Sequence, residues 1–258
     1  MIIGNKVFEN YTFVMAIINL TPDSFWKESR KCADEVLFAV ERAQKDGAAV
    51  IDLGAQSTRP GYVEVSADEE ISRFERPLQM IKERFDLPVS VDTYFQKSAE
   101  AALSLGADMI NDIWGLTHDK GMAETVAKYG ASACIMHNAK RPLSGDIWGP
   151  IEEFLRSSVN LAVSCGIDKD RICLDGGIGF AKSREQNWEL LNSYERLNLL
   201  GYPLLLGTSR KSMFGGNAED RLPQTIESTR LAARKGVLFV RVHDVKENAQ
   251  AIREEYSA

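Results

Sequence analysis

The chain has 258 residues, 44% of them apolar and 26% charged, with a formal net charge of −6 at pH 7. This is the composition of an ordinary globular protein, and its acidic balance argues against a nucleic-acid partner, whose binding surface is usually basic. No apolar run approaches the ~20 residues needed to cross a bilayer, and the start MIIGNKVFENYTF lacks the basic segment and apolar core of a secretion signal, so a cytoplasmic location is expected.

Eight short apolar runs follow one another: FVMAIIN, AAVIDLG, PVSVD, DMIND, SACIMHN, RICLDG, PLLLG and LFVRVHD. They are continuous rather than alternating, as expected of parallel strands covered on both faces. Residues 1–13 are expected to form a small cap ahead of the first run. That run ends at Asn19, and a turn at Thr21–Ser24 follows it. A helix is expected over Asp34–Gly47, stopped by its glycine. The second strand is expected to end near Asp52, before a loop with Ser57, Thr58, Arg59, Pro60 and Gly61. Ser66 and Glu69 have capping-box spacing ahead of a helix over Ala67–Phe85.

The third strand closes at Asp92, with a helix over Gln96–Leu105. The fourth closes at Asn111 and Asp112, with a helix over Met122–Lys128. The fifth closes at His137 and Asn138, and an excursion to Pro150 leads into a helix over Ile151–Cys165. The sixth closes at Asp175–Gly177, the seventh runs into Thr208–Lys211, and the eighth ends Arg241-Val-His-Asp244. Further helices are expected over Gln186–Leu200, Pro223–Lys235 and Glu247–Tyr256. The four cysteines, Cys32, Cys134, Cys165 and Cys173, form no CxxC pair, which favours buried thiols over disulfides or zinc. Eight strands alternating with helices, without a linker, read as one (β/α)8 barrel domain over residues 1–258. An open doubly wound sheet is disfavoured, because no GxGxxG turn follows the first strand.

In such a barrel the ends of the strands form the active face. Asp92, Asn111 and Asp175 then bring two carboxylates and an amide to one mouth, with Lys211, Arg241 and His243 beside them. Each aspartate alone could cap a helix or pair with a base; their convergence from separate strands favours a site. Carboxylates accept paired N–H bonds, and an amide both donates and accepts, so the set suits a flat, nitrogen-rich heterocycle. Arg241 and His243 share one face of the eighth strand and are expected to form an anion site with Ser209-Arg210-Lys211, near a helix N-terminus. Arg241 as a structural ion pair and His243 as a core imidazole are the plain alternatives. Asn19 neighbours this corner and offers an oxygen to Mg²⁺ held with a substrate phosphate. The Thr58/Arg59 loop, stiffened by Pro60, is open to reading as a lid or as a surface turn.

At these residues the chain strongly resembles the dihydropteroate synthase family. The matching stretches are Asn19–Phe25, Ser57–Gly61, Val91–Thr93, Asn111–Ile113, Met136–Asn138, Gly177–Phe180, Ser209–Ser212 and Arg241–Asp244, in the family's order over almost the whole chain. The resemblance implies a transferase joining 6-hydroxymethyl-7,8-dihydropterin pyrophosphate to p-aminobenzoate, with Mg²⁺ and release of pyrophosphate, in folate biosynthesis. By motif position, Asp92, Asn111, Asp175 and Lys211 hold the pterin. Asn19, Arg241 and His243 hold the pyrophosphate, and Asn19 the metal. Pro60, Phe180, Lys211 and Ser212 border the aminobenzoate. The catalytic set is Lys211, Arg241 and His243, with Thr58 and Arg59 folding over it. A homodimer built on outer helices is also implied.

The chain departs from the family pattern after Phe25, where Trp26-Lys27-Glu28-Ser29 stands in place of Ser-Asp-Gly-Gly. Ala16, Ala55-Gln56, Gly176 and Ala181 are further departures. The altered first loop leaves open a pterin-binding relative with weak or altered activity. A pterin-dependent methyltransferase on the same barrel is disfavoured, since it has no need of the SRKS and RVHD anion groups.

Overall fold

The computed structural model describes residues 1–20, 30–56 and 64–257, excluding the side chains of residues 30–33. The turn at Thr21–Ser24, the Trp26–Ser29 substitution, Cys32 and the Thr58–Gly61 loop lie outside the described residues or side chains.

A two-stranded hairpin, β1 (Ile2–Ile3) and β2 (Lys6–Val7), precedes eight parallel strands. These are β3 (Phe13–Asn19), β4 (Ala48–Gly54), β5 (Val89–Asp92), β6 (Met109–Asp112), β7 (Ser132–Met136), β8 (Ile172–Asp175), β9 (Leu204–Leu206) and β10 (Phe239–Val242). They close in chain order, with β10 pairing both β9 and β3. Among the described residues the helices are α1 (Arg30–Asp46), α2 (Ala67–Arg84), α3 (Gln96–Ser104), α4 (Met122–Lys128), α5 (Trp148–Ser164), α6 (Arg184–Asn192), α7 (Leu222–Arg234) and α8 (Val245–Ser257). No described helix is long and apolar enough to cross a membrane.

The two faces of each strand have different partners. Outward residues such as Ile51, Val91, Ile110, Ile135, Leu174, Leu206 and Val240 join one large core with the helices. From α2, Phe74, Leu78 and Ile81 are wholly buried in that core, each contributing roughly 1.5–3 kcal/mol. Inward residues at the N-terminal end of the barrel are Met15, Val50, Met109, Cys134, Cys173, Leu205 and Phe239. Ile3 and Phe8 close this floor from below, so the expected N-terminal cap is a plug. Ser132 Oγ ties the hairpin down by donating to the Ile2 carbonyl at 2.6 Å.

Several boundaries differ from the sequence reading. β4 continues through Asp52 to Gly54, and β7 ends at Met136, one residue before His137. The capping box of α2 is half formed. Ser66 accepts from the Glu69 amide, while the Glu69 carboxylate turns to Arg73. The helix expected over Gln186–Leu200 ends at Asn192, and a 3-10 segment, Tyr194–Leu200, follows. Cys134 and Cys173 are buried free thiols on neighbouring strands.

Candidate active site at the C-terminal mouth of the barrel

Side chains two positions apart on a strand share a face. One step of two beyond the apolar floor, the inward positions become Asp52 after Val50, Asn111 after Met109, Asp175 after Cys173 and Arg241 after Phe239. Asp92 stands beside Asn111 in register. The barrel interior is therefore layered, an apolar floor under a polar ring.

Arg241 organises one side of the ring. Its Nε donates to Asp52 Oδ2 at 2.5 Å and its Nη2 to Asp92 Oδ2 at 2.6 Å. Asn111 Nδ2 donates to the same Asp52 oxygen at 3.4 Å. Burial opposes the Arg241 charge, but the two carboxylates outweigh it and hold the guanidinium's pKa above its ordinary value. Burial pushes the Asp92 carboxyl upward, against the pull of Arg241. Among the described residues, Asp52 Oδ1 and Asp92 Oδ1 are both buried without a partner. A buried acceptor left unpaired costs about 1–3 kcal/mol, so two in one ring are a reason to expect N–H donors from a ligand.

The other side is built on the turn after β8. Asp175 Oδ1 accepts from the Gly177 amide at 2.7 Å and lies 3.1 Å from the Tyr194 hydroxyl. That hydroxyl is also 2.6 Å from the Leu205 carbonyl and accepts from the Gly176 amide. Gly177 has φ +71°, and a Cβ there would stand 1.9 Å from the His137 carbonyl oxygen, so only glycine fits. Lys211 reaches over this turn, donating to the Ile178 carbonyl, with its Nζ 5.0 Å from the Phe180 ring centre. Burial lowers the Lys211 pKa to about 8, with Asp175 opposing the shift.

At the third corner, His243 Nδ1 lies 2.9 Å from Ser209 Oγ, and its amide donates to the same hydroxyl. Asn19 ends β3 opposite Gly54, where a Cβ would lie 3.4 Å from the Asn19 amide oxygen. That amide oxygen is a hard oxygen donor of the kind Mg²⁺ takes. Among the described residues no group of three or more His, Cys, Asp or Glu side chains converges as a metal cage. One amide oxygen completed by substrate phosphate and water is the arrangement Mg²⁺ commonly accepts.

The structure brings together Asp92, Asn111, Asp175, Lys211 and Arg241, as the sequence predicts. It adds one partnership and corrects two details. Arg241 is bound to Asp52 and Asp92, the ion pair named above as its plain alternative. Arg210 pairs with Asp244 at 2.7 Å. No helix N-terminus follows Lys211; a three-residue 3-10 turn, Ser212–Phe214, stands there, and α7 begins only at Leu222. Thr58, Arg59 and Pro60 lie outside the described residues, although Gln56 and Glu64 on either side both bond the Tyr94 hydroxyl, at 2.8 and 2.9 Å. Sequence reasoning missed Asp52, Tyr194 and Lys182. An aspartate inside the apolar run AAVIDLG was the one available signal for Asp52.

A family model described as "Pterin binding enzyme" matches residues 15–243. The dihydropteroate synthase of Clostridium beijerinckii is 45% identical over 261 residues, covering 98% of this chain and 97% of its own. That of Bacillus subtilis is 40% identical over 248 residues, covering 94% and 87%. A dihydropteroate synthase structure from Clostridium difficile, solved with pteroic acid, superposes with a TM-score of 0.94 at 44% identity, covering 97% of each chain. The Xanthomonas albilineans enzyme with 4-aminobenzoic acid gives 0.91 at 34% identity, covering 96% and 93%. The chain belongs to the dihydropteroate synthase family of pterin-binding enzymes.

Proposed function

We propose that the protein is a folate-pathway transferase acting as one barrel domain. It condenses 6-hydroxymethyl-7,8-dihydropterin pyrophosphate with p-aminobenzoate to give 7,8-dihydropteroate and pyrophosphate. The observation that carries the reading is the polar ring of Asp92, Asn111, Asp175 and Lys211 at the mouth, in which Asp92 Oδ1 is buried with no partner among the described residues. Such acceptors suit the amino-amidine edge of a pterin, which offers parallel N–H donors.

In this reading Asp92, Asn111, Asp175 and Lys211 hold the pterin. Arg241, His243 and Asn19 receive the pyrophosphate, and Phe180, Ser212, Lys211 and Pro60 border the aminobenzoate, with Thr58 and Arg59 closing the site. The arylamine nitrogen bonds to the exocyclic methylene carbon as its C–O bond breaks. The bonding pair leaves on pyrophosphate, and the amine proton passes to solvent. Cationic groups around the leaving oxygens stabilise the charge that grows there, and the nucleophile needs alignment more than activation. The Asn19 amide oxygen would hold Mg²⁺, which when bound would supply further neutralisation of the leaving group.

Two supporting readings go with this one. The buried free thiols Cys134 and Cys173 favour a reducing cytoplasm. A homodimer is favoured by an apolar groove of about 400 Å³ between α6 and α7, lined by Trp188, Leu191, Phe214, Pro223 and Leu231; sedimentation equilibrium tests it, and a monomer at all concentrations rejects it.

The test of function is direct. Purified protein, Mg²⁺, the pterin pyrophosphate and p-aminobenzoate are expected to release one pyrophosphate per dihydropteroate formed. Tight pterin binding without turnover would instead select the binding-only relative, the reading that Lys27 in the first loop raises.

A further inference from the structure

Lys182 has no part in the scheme above, yet its ammonium sits among three acceptors. Its Nζ lies 3.0 Å from the Gly177 carbonyl, 3.1 Å from the Phe180 carbonyl and 2.9 Å from His137 Nδ1. Burial lowers the Lys182 pKa to about 7, with Asp175 opposing the shift; in its ammonium form the side chain has three N–H donors and no acceptor, so donors and acceptors then match one to one. The third acceptor requires a neutral His137 with its proton on Nε2. Burial and the facing Lys182 charge lower the His137 pKa to about 3, which keeps the ring neutral.

The Gly177–Phe180 segment closes on itself, the Phe180 amide donating to the Gly177 carbonyl at 3.1 Å. Strain follows immediately: Ala181 has φ +49°, a left-handed conformation costing a non-glycine residue about 1–2 kcal/mol. The Asn187 amide oxygen accepts from the Gly179 amide at 2.6 Å and the Leu143 amide donates to the Ala181 carbonyl at 2.8 Å, and two lysines hold further carbonyls of the turn. Lys211 bonds the Ile178 carbonyl from the mouth, and Lys182 grips both ends of the turn from behind. Between them Phe180 lies under the Lys211 ammonium.

We propose that Lys182 is a positioning residue for the arylamine half of the site: its ammonium locks the Gly177–Phe180 turn to His137 at the end of β7, and so sets Phe180 against Lys211. The inference rests on the reading that Phe180 borders the aminobenzoate. Of the pterin carboxylates, Asp92 belongs to β5 and is held by Arg241, and Asp175, which accepts from the Gly177 amide at the start of the turn, is held also by the Tyr194 hydroxyl, so releasing the turn leaves each with a partner. Loss of the clamp is therefore expected to act on one substrate.

The experiment compares the full-length wild type with Lys182→Met, which keeps the apolar stem, and with Lys182→Gln, which keeps part of the donor set. In Lys182→Met the KM for p-aminobenzoate is expected to rise about tenfold or more, while kcat and the calorimetric Kd for the pterin pyrophosphate alone stay within about threefold. Lys182→Gln is expected to fall between. An unchanged aminobenzoate KM overturns the proposal, as does a parallel rise in pterin Kd, which would mean general structural damage. Hydrogen exchange gives a readout independent of turnover. In Lys182→Met or, should that variant not fold, Lys182→Gln, the amides of Gly179 and Phe180 are expected to exchange about tenfold faster or more, with those of β4 and β5 unchanged. Unchanged protection in the turn sinks the clamp whether or not the wild type turns over. A wild type without turnover counts against the functional reading alone.

Discussion

At the residue scale, Arg241 is shared between two buried carboxylates, and the sharing has a purpose if Asp92 must be released to a pterin. A guanidinium stripped of one partner in a buried site needs the other, because an uncompensated buried charge is costly. Asp52 is that other partner. In Asp52→Asn, Arg241 should draw Asp92 more tightly and compete with the pterin, weakening its Kd by about tenfold, or roughly 1.4 kcal/mol; calorimetry reads this directly, and an unchanged Kd would exclude the role. Lys211 gives a pH test. Its ammonium persists below a pKa of about 8, so pterin affinity should be full at pH 7 and decline as pH rises through 8. In Lys211→Arg, which stays protonated, that decline should disappear. Ala181 offers a stability test: Ala181→Gly removes a left-handed alanine and should gain about 1 kcal/mol in urea unfolding.

At the scale of elements, helix and strand types are read well from pattern, while their ends depend on partners that the pattern does not contain. Ser66 and Glu69 have the spacing of a reciprocal cap, yet Arg73, one turn further along α2, draws the Glu69 carboxylate away at 2.5 Å. The single remaining cap bond is Ser66 to the Glu69 amide. Ser66→Ala is therefore expected to cost about 1 kcal/mol by thermal or urea unfolding, and Glu69→Gln a smaller amount. The break at Ser193 has a comparable origin. The apolar spacing of Gln186–Leu200 fits one helix, but Tyr194 must place its hydroxyl beside Leu205 and Asp175 while Leu197 stays buried. Bonds to the two adjoining strands β8 and β9 take precedence over local propensity, and the segment tightens into a 3-10 helix.

At the scale of the whole molecule, the barrel is a stack of layers, and the mouth can carry charge because the floor below it is dry. Phe8 sets the bottom layer, with its ring 5.0 Å from that of Phe13 and 5.2 Å from that of Phe239, both edge-on. Phe8→Ala should destabilise the fold by about 3–5 kcal/mol. Activity at temperatures where the variant stays folded should be unchanged, since the polar ring stands one layer above. Equal losses of activity and stability would show that floor and mouth are coupled.

The sequence by itself determined the eight strands, their order and most of the polar residues at their ends, because burial on both faces writes itself as continuous apolar runs. It also carried the family, through motifs such as Ser209–Ser212 that occur in the family's order. What only the tertiary structure decided is who faces whom. Asp52 and Arg241 are 189 residues apart in the chain, and they meet because closure of the sheet sets β10 beside β3 and β4 one strand further on. Lys182 gains its meaning in the same way, from a His137 at the end of a different strand. Periodicity fixes the face on which a side chain stands, but the partners across a barrel depend on closure and register, which no local pattern encodes.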